Sequence, residues 1–269
     1  MWKVSVMTVF TRFIWMYVFL DVIGLMFSSP SLAVIDPGTV VGAWFFEEGG
    51  GKTVKDSSGG GNDGTIEGAP KWVKGQFGNA LEFDGKKDYI IIAHSDTLNL
   101  NEMTVAAWVN LRSYPDDARI ITKEEGVVAP WTVYSLQMSG AGESKLEFRP
   151  TINGQRQRVA SNEDVPLNEW THIAATFDGK EVVLYLNGEI DQKAPHAGEM
   201  MQNKKDLWFG ASEFWDPRFF DGLMDDVALF NVALSQDDIK TLVKKGLAAE
   251  LGVSPAGKLA TTWAQLKRP

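Results

Sequence analysis

Two tight-turn dipeptides constrain the fold of this chain more than any other feature. Trp170-Thr171-His172-Ile173-Ala174-Ala175-Thr176-Phe177 runs into Asp178-Gly179, and Glu181-Val182-Val183-Leu184-Tyr185-Leu186 runs into Asn187-Gly188. Asp-Gly and Asn-Gly both tolerate the positive φ that a two-residue hairpin turn requires, so consecutive strands here fold back on one another. The same alternation of β-rich segments with Gly, Asn and Asp recurs elsewhere. Thr39–Phe46, Ala80–Phe83, Tyr89–Ile92, Ala118–Thr122, Thr132–Met138, Lys145–Arg149, Leu207–Gly210 and Gly222–Phe230 all read as strands. Met103–Leu111 is a continuous apolar run, as expected of a central strand covered on both faces. Helical periodicity is almost absent before Ser235. The pattern predicts an all-β fold, a two-sheet antiparallel β-sandwich or jelly roll. One short helix is expected near the C-terminal end. Ser235 caps it, Asp238 closes a capping box, Ile239, Leu242 and Val243 form an apolar stripe, and Gly246 stops it.

Composition narrows the chemistry. The 269 residues include no cysteine, which excludes disulfides, thiol nucleophiles and Cys-based metal sites. The three histidines, His94, His172 and His196, are scattered and do not suggest a zinc site. His172 alternates with Ile173 on a strand, so a packed or hydrogen-bonded ring is expected there rather than a catalytic one. A formal net charge of −9 argues against a nucleic-acid partner and suits a divalent cation or a neutral ligand such as a glycan.

The first 33 residues differ from the rest. Lys3 and Arg12 precede the apolar run Phe13–Leu20, and Ser31-Leu32-Ala33 has the small-x-small form of a signal-peptidase site. Asp21 interrupts the apolar stretch and disfavours a membrane span. The expectation is a cleaved signal peptide over 1–33, a mature chain without a membrane span, and a secreted or cell-envelope location. The domain is expected over 36–246, with a C-terminal tail over 247–269 in which Leu259, Trp263 and Leu266 are apolar.

Two regions carry candidate chemistry. The loop Asp56–Thr65 combines three consecutive glycines with the side-chain oxygens of Asp56, Ser57, Ser58, Asn62, Asp63 and Thr65. It reads either as a loop of turn formers or as a calcium loop, although it lacks EF-hand spacing. In GLMDDVALF, strict alternation places Asp225 on the face of Val227 and Leu229, and an inward carboxylate must be hydrogen-bonded, paired or metal-bound. Trp131, Phe214, Trp215, Phe219 and Phe220 lie in loop-like stretches, with Arg218 among them. They could form a sugar platform, with Trp131, Trp215, Arg218 and Phe219 as ligand-binding residues, or cover the ends of the sandwich core.

The ordered series of segments resembles a known family. Val41–Gly49, Asp56–Thr65, Phe77–Gly85, Met103–Val109, Asn168–Gly179, Leu184–Gly188 and Phe220–Val227 together resemble the laminin-G-like, concanavalin-A-like jelly roll of bacterial secreted proteins. The resemblance implies a two-sheet sandwich, usually a binding or adhesion module that meets a glycan or an extracellular protein. It also implies a structural calcium near Asp56 and Asp225, with Asn62 from the loop. Glucanases share the fold and need E-x-D-x-x-E on their active strand. The nearest stretch here, Glu189-Ile190-Asp191-Gln192-Lys193-Ala194, lacks the second glutamate. The reading is therefore a non-catalytic module. A glycoside hydrolase or lyase of the concanavalin-like fold, or a purely structural surface domain, is the alternative.

Overall fold

The computed structural model describes residues 35–126, 132–140, 142–214, 218–254 and 258–259. Residues 1–34, on which the expected signal peptide falls, Trp131, Trp215 and most of the last fifteen residues lie outside the described residues. In chain order the strands begin with β1 (Val40–Trp44), β2 (Thr53–Val54), β3 (Gly64–Glu67), β4 (Lys71–Lys74), β5 (Asn79–Asp84) and β6 (Tyr89–Ile92). They continue with β7 (Met103–Leu111), β8 (Arg119–Glu124), β9 (Thr132–Met138), β10 (Lys145–Phe148), β11 (Thr151–Ile152) and β12 (Gln155–Arg156). Next come β13 (Val159–Asp164), β14 (Thr171–Phe177), β15 (Glu181–Leu186), β16 (Glu189–Pro195), β17 (Leu207–Phe209) and β18 (Asp221–Phe230). Two helices follow, α1 (Gln236–Lys245) and α2 (Leu247–Glu250).

Two eight-stranded antiparallel sheets form the sandwich. The first runs β16-β15-β14-β7-β18-β5-β4, with β1 also paired to β18; the second runs β13-β10-β9-β8-β17-β6-β3-β2. The core between them is one cluster that includes Trp44, Phe83, Phe148, Phe177 and Phe209. A second cluster, with Phe45, Tyr185, Phe230, Ile239, Leu242 and Leu247, lies on the other face of the first sheet beneath the helices. Strand β7 therefore has two apolar faces. Met103, Val105, Ala107, Val109 and Leu111 enter the main core, whereas Ala106 joins the second cluster.

The turns follow local chemistry. Asn187 and Gly188 have φ values of 51° and 81°, as a type I′ hairpin turn demands. The other hairpin closes one residue later than its dipeptide suggests. Asp178 N–H reaches Glu181 O at 3.4 Å, which leaves Gly179 and Lys180 at the tip. Asp178 instead uses its carboxylate to accept the N–H groups of Lys180 and Glu181 at 2.9 and 2.7 Å.

Strand β18 departs from alternation, and this corrects the expected direction of Asp225. Its register against β7 slips between Asp225 and Ala228, and Asp226 has φ 46°. The extra residue is a β-bulge. Met224 and Val227 both point into the main core. Asp225 therefore faces the other way, beside Trp108, the residue opposite it on β7. The bulge also marks where β18 changes neighbour, from β5 before it to β1 after it. The packed unit continues past Gly246, because Leu247 is buried in the second cluster and donates its N–H to Asp226 at 2.9 Å.

Candidate ligand-binding face

The second sheet carries an outer face of buried polar and charged side chains. Register explains how it forms. The row Ile90–Phe209–Ile121–Leu136–Phe148 runs across β6, β17, β8, β9 and β10 and points into the core. Neighbouring positions must point outward. Thr122 stands opposite Trp208 on one side and Ser135 on the other. Arg119 stands opposite Gln137, which stands opposite Glu147. A sheet whose outer face met only water would leave these side chains exposed. Instead Arg119, Thr122, Glu124, Ser135, Gln137 and Glu147 are all buried.

Buried charge survives only when paired. Arg119 Nε donates to Glu124 Oε1 at 3.0 Å, and its Nη1 donates to the Asp117 carbonyl at 2.8 Å. Glu124 Oε2 accepts from the Ser212 hydroxyl at 2.6 Å. Glu147 accepts from Ser139 at 2.7 Å, from Arg149 Nε at 2.6 Å and from Arg158 Nε at 2.6 Å. Asp117 links the two halves. Its Oδ1 accepts from Gln137 Nε2 at 3.0 Å and Arg149 Nη2 at 2.9 Å, and its Oδ2 lies 3.2 Å from Arg218 Nη1. Asp117 reaches this position with φ 53°, a conformation that Asp tolerates better than most residues.

The protonation states follow from these partners. Burial pushes the Asp117 carboxyl up, but the charges of Arg149, Arg119 and Arg218 outweigh it and hold it below its ordinary range. Burial also pushes Glu147 up, and the hydrogen bonds of Arg158 and Ser139 with the charge of Arg149 again prevail. Burial lowers Arg119 from its usual value, and Glu124 opposes that shift.

Aromatic rings flank this network. Tyr89 and Trp208 stack at a centroid distance of 4.9 Å and 23° between planes, and Phe219 lies 6.4 Å from Tyr89. Between rings and charges, Thr122 Oγ1 and Trp208 Nε1 are buried without a hydrogen-bond partner. An unsatisfied buried polar atom costs about 1–3 kcal/mol, and these two belong to residues paired across β8 and β17.

The structure thus brings two of the expected ligand-binding residues, Arg218 and Phe219, onto one face. Trp131 and Trp215 lie outside the described residues. Sequence reading missed Arg119, Thr122, Glu124, Gln137, Glu147 and Trp208. The available signal was charge at alternate positions in Lys145–Arg149, which reads equally well as a solvated strand face.

The expected calcium ligands sit in two places. Asp56 Oδ1 accepts from Ala43 N–H at 3.1 Å and Ser58 N–H at 2.9 Å, and its Oδ2 accepts from Asn62 N–H at 2.9 Å. Asn62 in turn donates to Val41 O at 2.9 Å and accepts Trp44 Nε1 at 2.9 Å. Asp56 and Asn62 therefore tie their loop to β1. Asp225 lies in the β18 bulge, where its Oδ2 accepts Phe77 N–H at 2.9 Å and its Oδ1 is buried without a partner. Burial and the adjacent Asp226 push the Asp225 carboxyl up to about 8. No hydrogen bond joins Asp225 to Asp56 or Asn62. Among the described residues no cluster of three or more Asp, Glu or His side chains is arranged to hold a metal ion. Of the three expected ligands, only Asp225 has a side-chain oxygen, Oδ1, that is buried without a hydrogen-bond partner.

Known proteins place the fold. The profile of a family described as the concanavalin A-like lectin/glucanases superfamily, of laminin G type, matches residues 84–240, more than half of the chain. No curated protein matches the sequence. Among solved structures, domain 4 of AbnA, a GH43 extracellular arabinanase from Geobacillus stearothermophilus in complex with arabinotriose, is similar with a TM-score of 0.62 and 20% identity. That match covers 77% of this chain and 98% of the arabinanase domain. The binding domain of Paraclostridial Mosquitocidal Protein 1 is similar with a TM-score of 0.62 and 15% identity, over 77% of this chain and 52% of that one. The receptor binding domain of botulinum neurotoxin C/D mosaic serotype gives 0.61 and 18%, over 78% and 52%. The chain thus spans about half the length of the toxin domains that it matches.

Proposed function

This chain belongs to the concanavalin A-like lectin/glucanases superfamily, and on that footing we propose that it is a non-catalytic recognition module binding a glycan on the outer face of its second sheet. One observation carries the reading. The Tyr89–Trp208 stack adjoins two buried polar atoms without partners and a charged network already fixed in place. Sugar sites combine a flat apolar surface with a few fixed polar groups in this way. The arabinanase domain, crystallised with arabinotriose, supports the ligand class.

The two inner carboxylates of this face, Asp117 and Glu147, favour binding over hydrolysis there. A glycosidase acid keeps its proton near neutral pH, whereas Asp117 and Glu147 are held ionised by arginines. Asp191, within the stretch nearest to a glucanase motif, accepts the backbone N–H groups of Asn162 at 2.6 Å and Glu163 at 2.9 Å. Export by a cleaved signal over 1–33 is part of the proposal, and a secreted product beginning at Val34 would support it. Among the described residues no helix is long and apolar enough to cross a membrane.

The test is a glycan array followed by tryptophan-fluorescence titration of the best hit. Trp208→Ala is expected to weaken binding at least about tenfold, equivalent to roughly 1.4 kcal/mol. Unchanged affinity in a folded Trp208→Ala variant places the ligand elsewhere. Calcium belongs to the proposal at Asp225. Calcium is expected to raise the melting temperature and EDTA to lower it, and Asp225→Asn to abolish the response. Identical melts in metal-free and calcium-loaded samples remove the cation from the account.

A further inference from the structure

We propose that residues 260–269 of this chain dock in a cavity beside α2, with Trp263 in its apolar part and Lys267 and Arg268 toward its carboxylates. The cavity lies on the helix-covered side of the first sheet and has a volume of about 250 Å³. Phe45, Phe77, Ala248 and Ala249 line it with apolar surface, and Glu47 and Asp226 supply the carboxylates. Sites for drug-sized ligands run to roughly 300–1,000 Å³, so this smaller space suits one large side chain. Phe45 is buried at its base. Phe77 packs edge to face on Trp108 at 6.1 Å and is still only half-buried, and Ala249 is exposed. An aromatic ring seated here completes the cover of Phe77.

Charge favours the same occupant. Among the described residues neither Glu47 nor Asp226 has an ion-pair partner, and Lys245 at the rim is held by Glu250 at 2.9 Å. Residues 251–269 carry three cations, Lys258, Lys267 and Arg268, and no acid, in a chain whose net charge is −9. The basic segment and the acidic cavity are thus complementary.

The path of the chain leads to the cavity. β19 (Val253–Ser254) pairs antiparallel with β20 (Lys258–Leu259), with Val253 opposite Leu259. The chain therefore leaves Leu259 running back toward α2, whose Ala248 and Ala249 line the cavity. Ala249 lies four residues before Val253, and Trp263 lies four residues after Leu259. Four extended residues reach up to about 14 Å, so the return is long enough. A tether this short holds Trp263 at an effective concentration on the order of millimolar, so a modest match suffices. Docking completes the closed side of the domain and leaves the second sheet as its open face.

The experiment labels the full chain with fluorotryptophan and assigns to Trp263 the fluorine signal that Trp263→Phe removes. A neutral, soluble gadolinium chelate then broadens the signals of solvent-exposed rings. The Trp263 signal is expected to broaden several-fold less than that of a free peptide of sequence 260–269. Ala249→Phe, at the exposed rim, fills the cavity and is expected to restore full broadening while circular dichroism shows an unchanged fold. Replacing Lys267 and Arg268 together by Gln is expected to raise the broadening in part and to remove its dependence on salt. Full broadening in the wild type overturns the proposal. Protection that survives both variants places Trp263 on another surface. Protection that grows with protein concentration assigns the segment to a second copy, and protection that appears only with phosphatidylglycerol vesicles assigns it to a membrane; each of these also overturns the proposal.

Discussion

His172 sits on β14 against Trp108, ring centroids 5.3 Å apart, with Nδ1 buried and without a partner. Burial lowers its pKa from 6.5 to about 3. A base depressed in this way stays neutral in the folded state. Its contribution to stability is complete above the unfolded value of 6.5 and is lost as pH falls towards 3, at up to about 1.4 kcal/mol per pH unit. Asp226 lines the same small recess and carries the opposite sign, because burial pushes its carboxyl up to about 7. The whole-protein pH profile mixes the two, so a difference measurement is needed. His172→Phe keeps the ring and removes the orphaned nitrogen. It is expected to be neutral or stabilising at pH 7, and its advantage over the wild type to grow as urea melts are repeated from pH 6.5 down to 4. A constant difference across that range would show that His172 does not govern the acid limb. The packed character of this histidine was legible from its place beside Ile173 on a strand. The direction of Asp225 was not, since nothing in GLMDDVALF says which residue the bulge removes from the alternation.

At the scale of elements, local chemistry and long-range register divide the credit. The capping box at Ser235 depended on two residues, Ser235 and Asp238, and appears in full. Ser235 Oγ accepts Asp238 N–H at 3.2 Å, and Asp238 Oδ2 accepts Ser235 N–H at 3.1 Å. The Asn187-Gly188 turn is equally local. The charged face of the second sheet is not. Whether Glu147 meets water or an arginine depends on which strand lies beside β10, and that partner is fixed by the whole sandwich. Strand β8 adds a register slip between Arg119 and Ile121, which hides the alternation that would otherwise reveal an outward row. The capping box gives a direct prediction. Ser235→Ala is expected to cost about 1 kcal/mol and to lower the melting temperature by about 2–4 °C. Because α1 covers the first sheet, glycan affinity on the second should not change. A thermal melt together with one titration checks both statements, and an altered affinity would show that the two faces are coupled.

The whole molecule assigns different work to its two outer faces. The first sheet is closed by α1 and α2 over an apolar cluster, and the second presents charge and aromatic rings. The closed face extends the domain beyond the boundary that the sequence suggests. Composition changes after Gly246, with Pro255 and mixed propensities, so the segment reads as a tail. Its first residue nonetheless belongs to the packed unit, because Leu247 fills the second cluster and satisfies Asp226. Comparing two truncations isolates that contribution. Ending the chain after Gly252 keeps α2 and the Leu247–Asp226 hydrogen bond. Ending it after Gly246 exposes the apolar surface that Leu247 covers, worth roughly 1.5–3 kcal/mol. It also leaves the buried Asp226 carboxyl without its donor, which adds about 1–3 kcal/mol. The shorter chain is therefore expected to be at least about 2.5 kcal/mol less stable than the longer one in urea melts at pH 7, with the deficit smaller at pH 5, where Asp226 is protonated and needs its donor less. Equal stabilities at both pH values would show that the domain ends at Gly246 and that Leu247 rests on its surface.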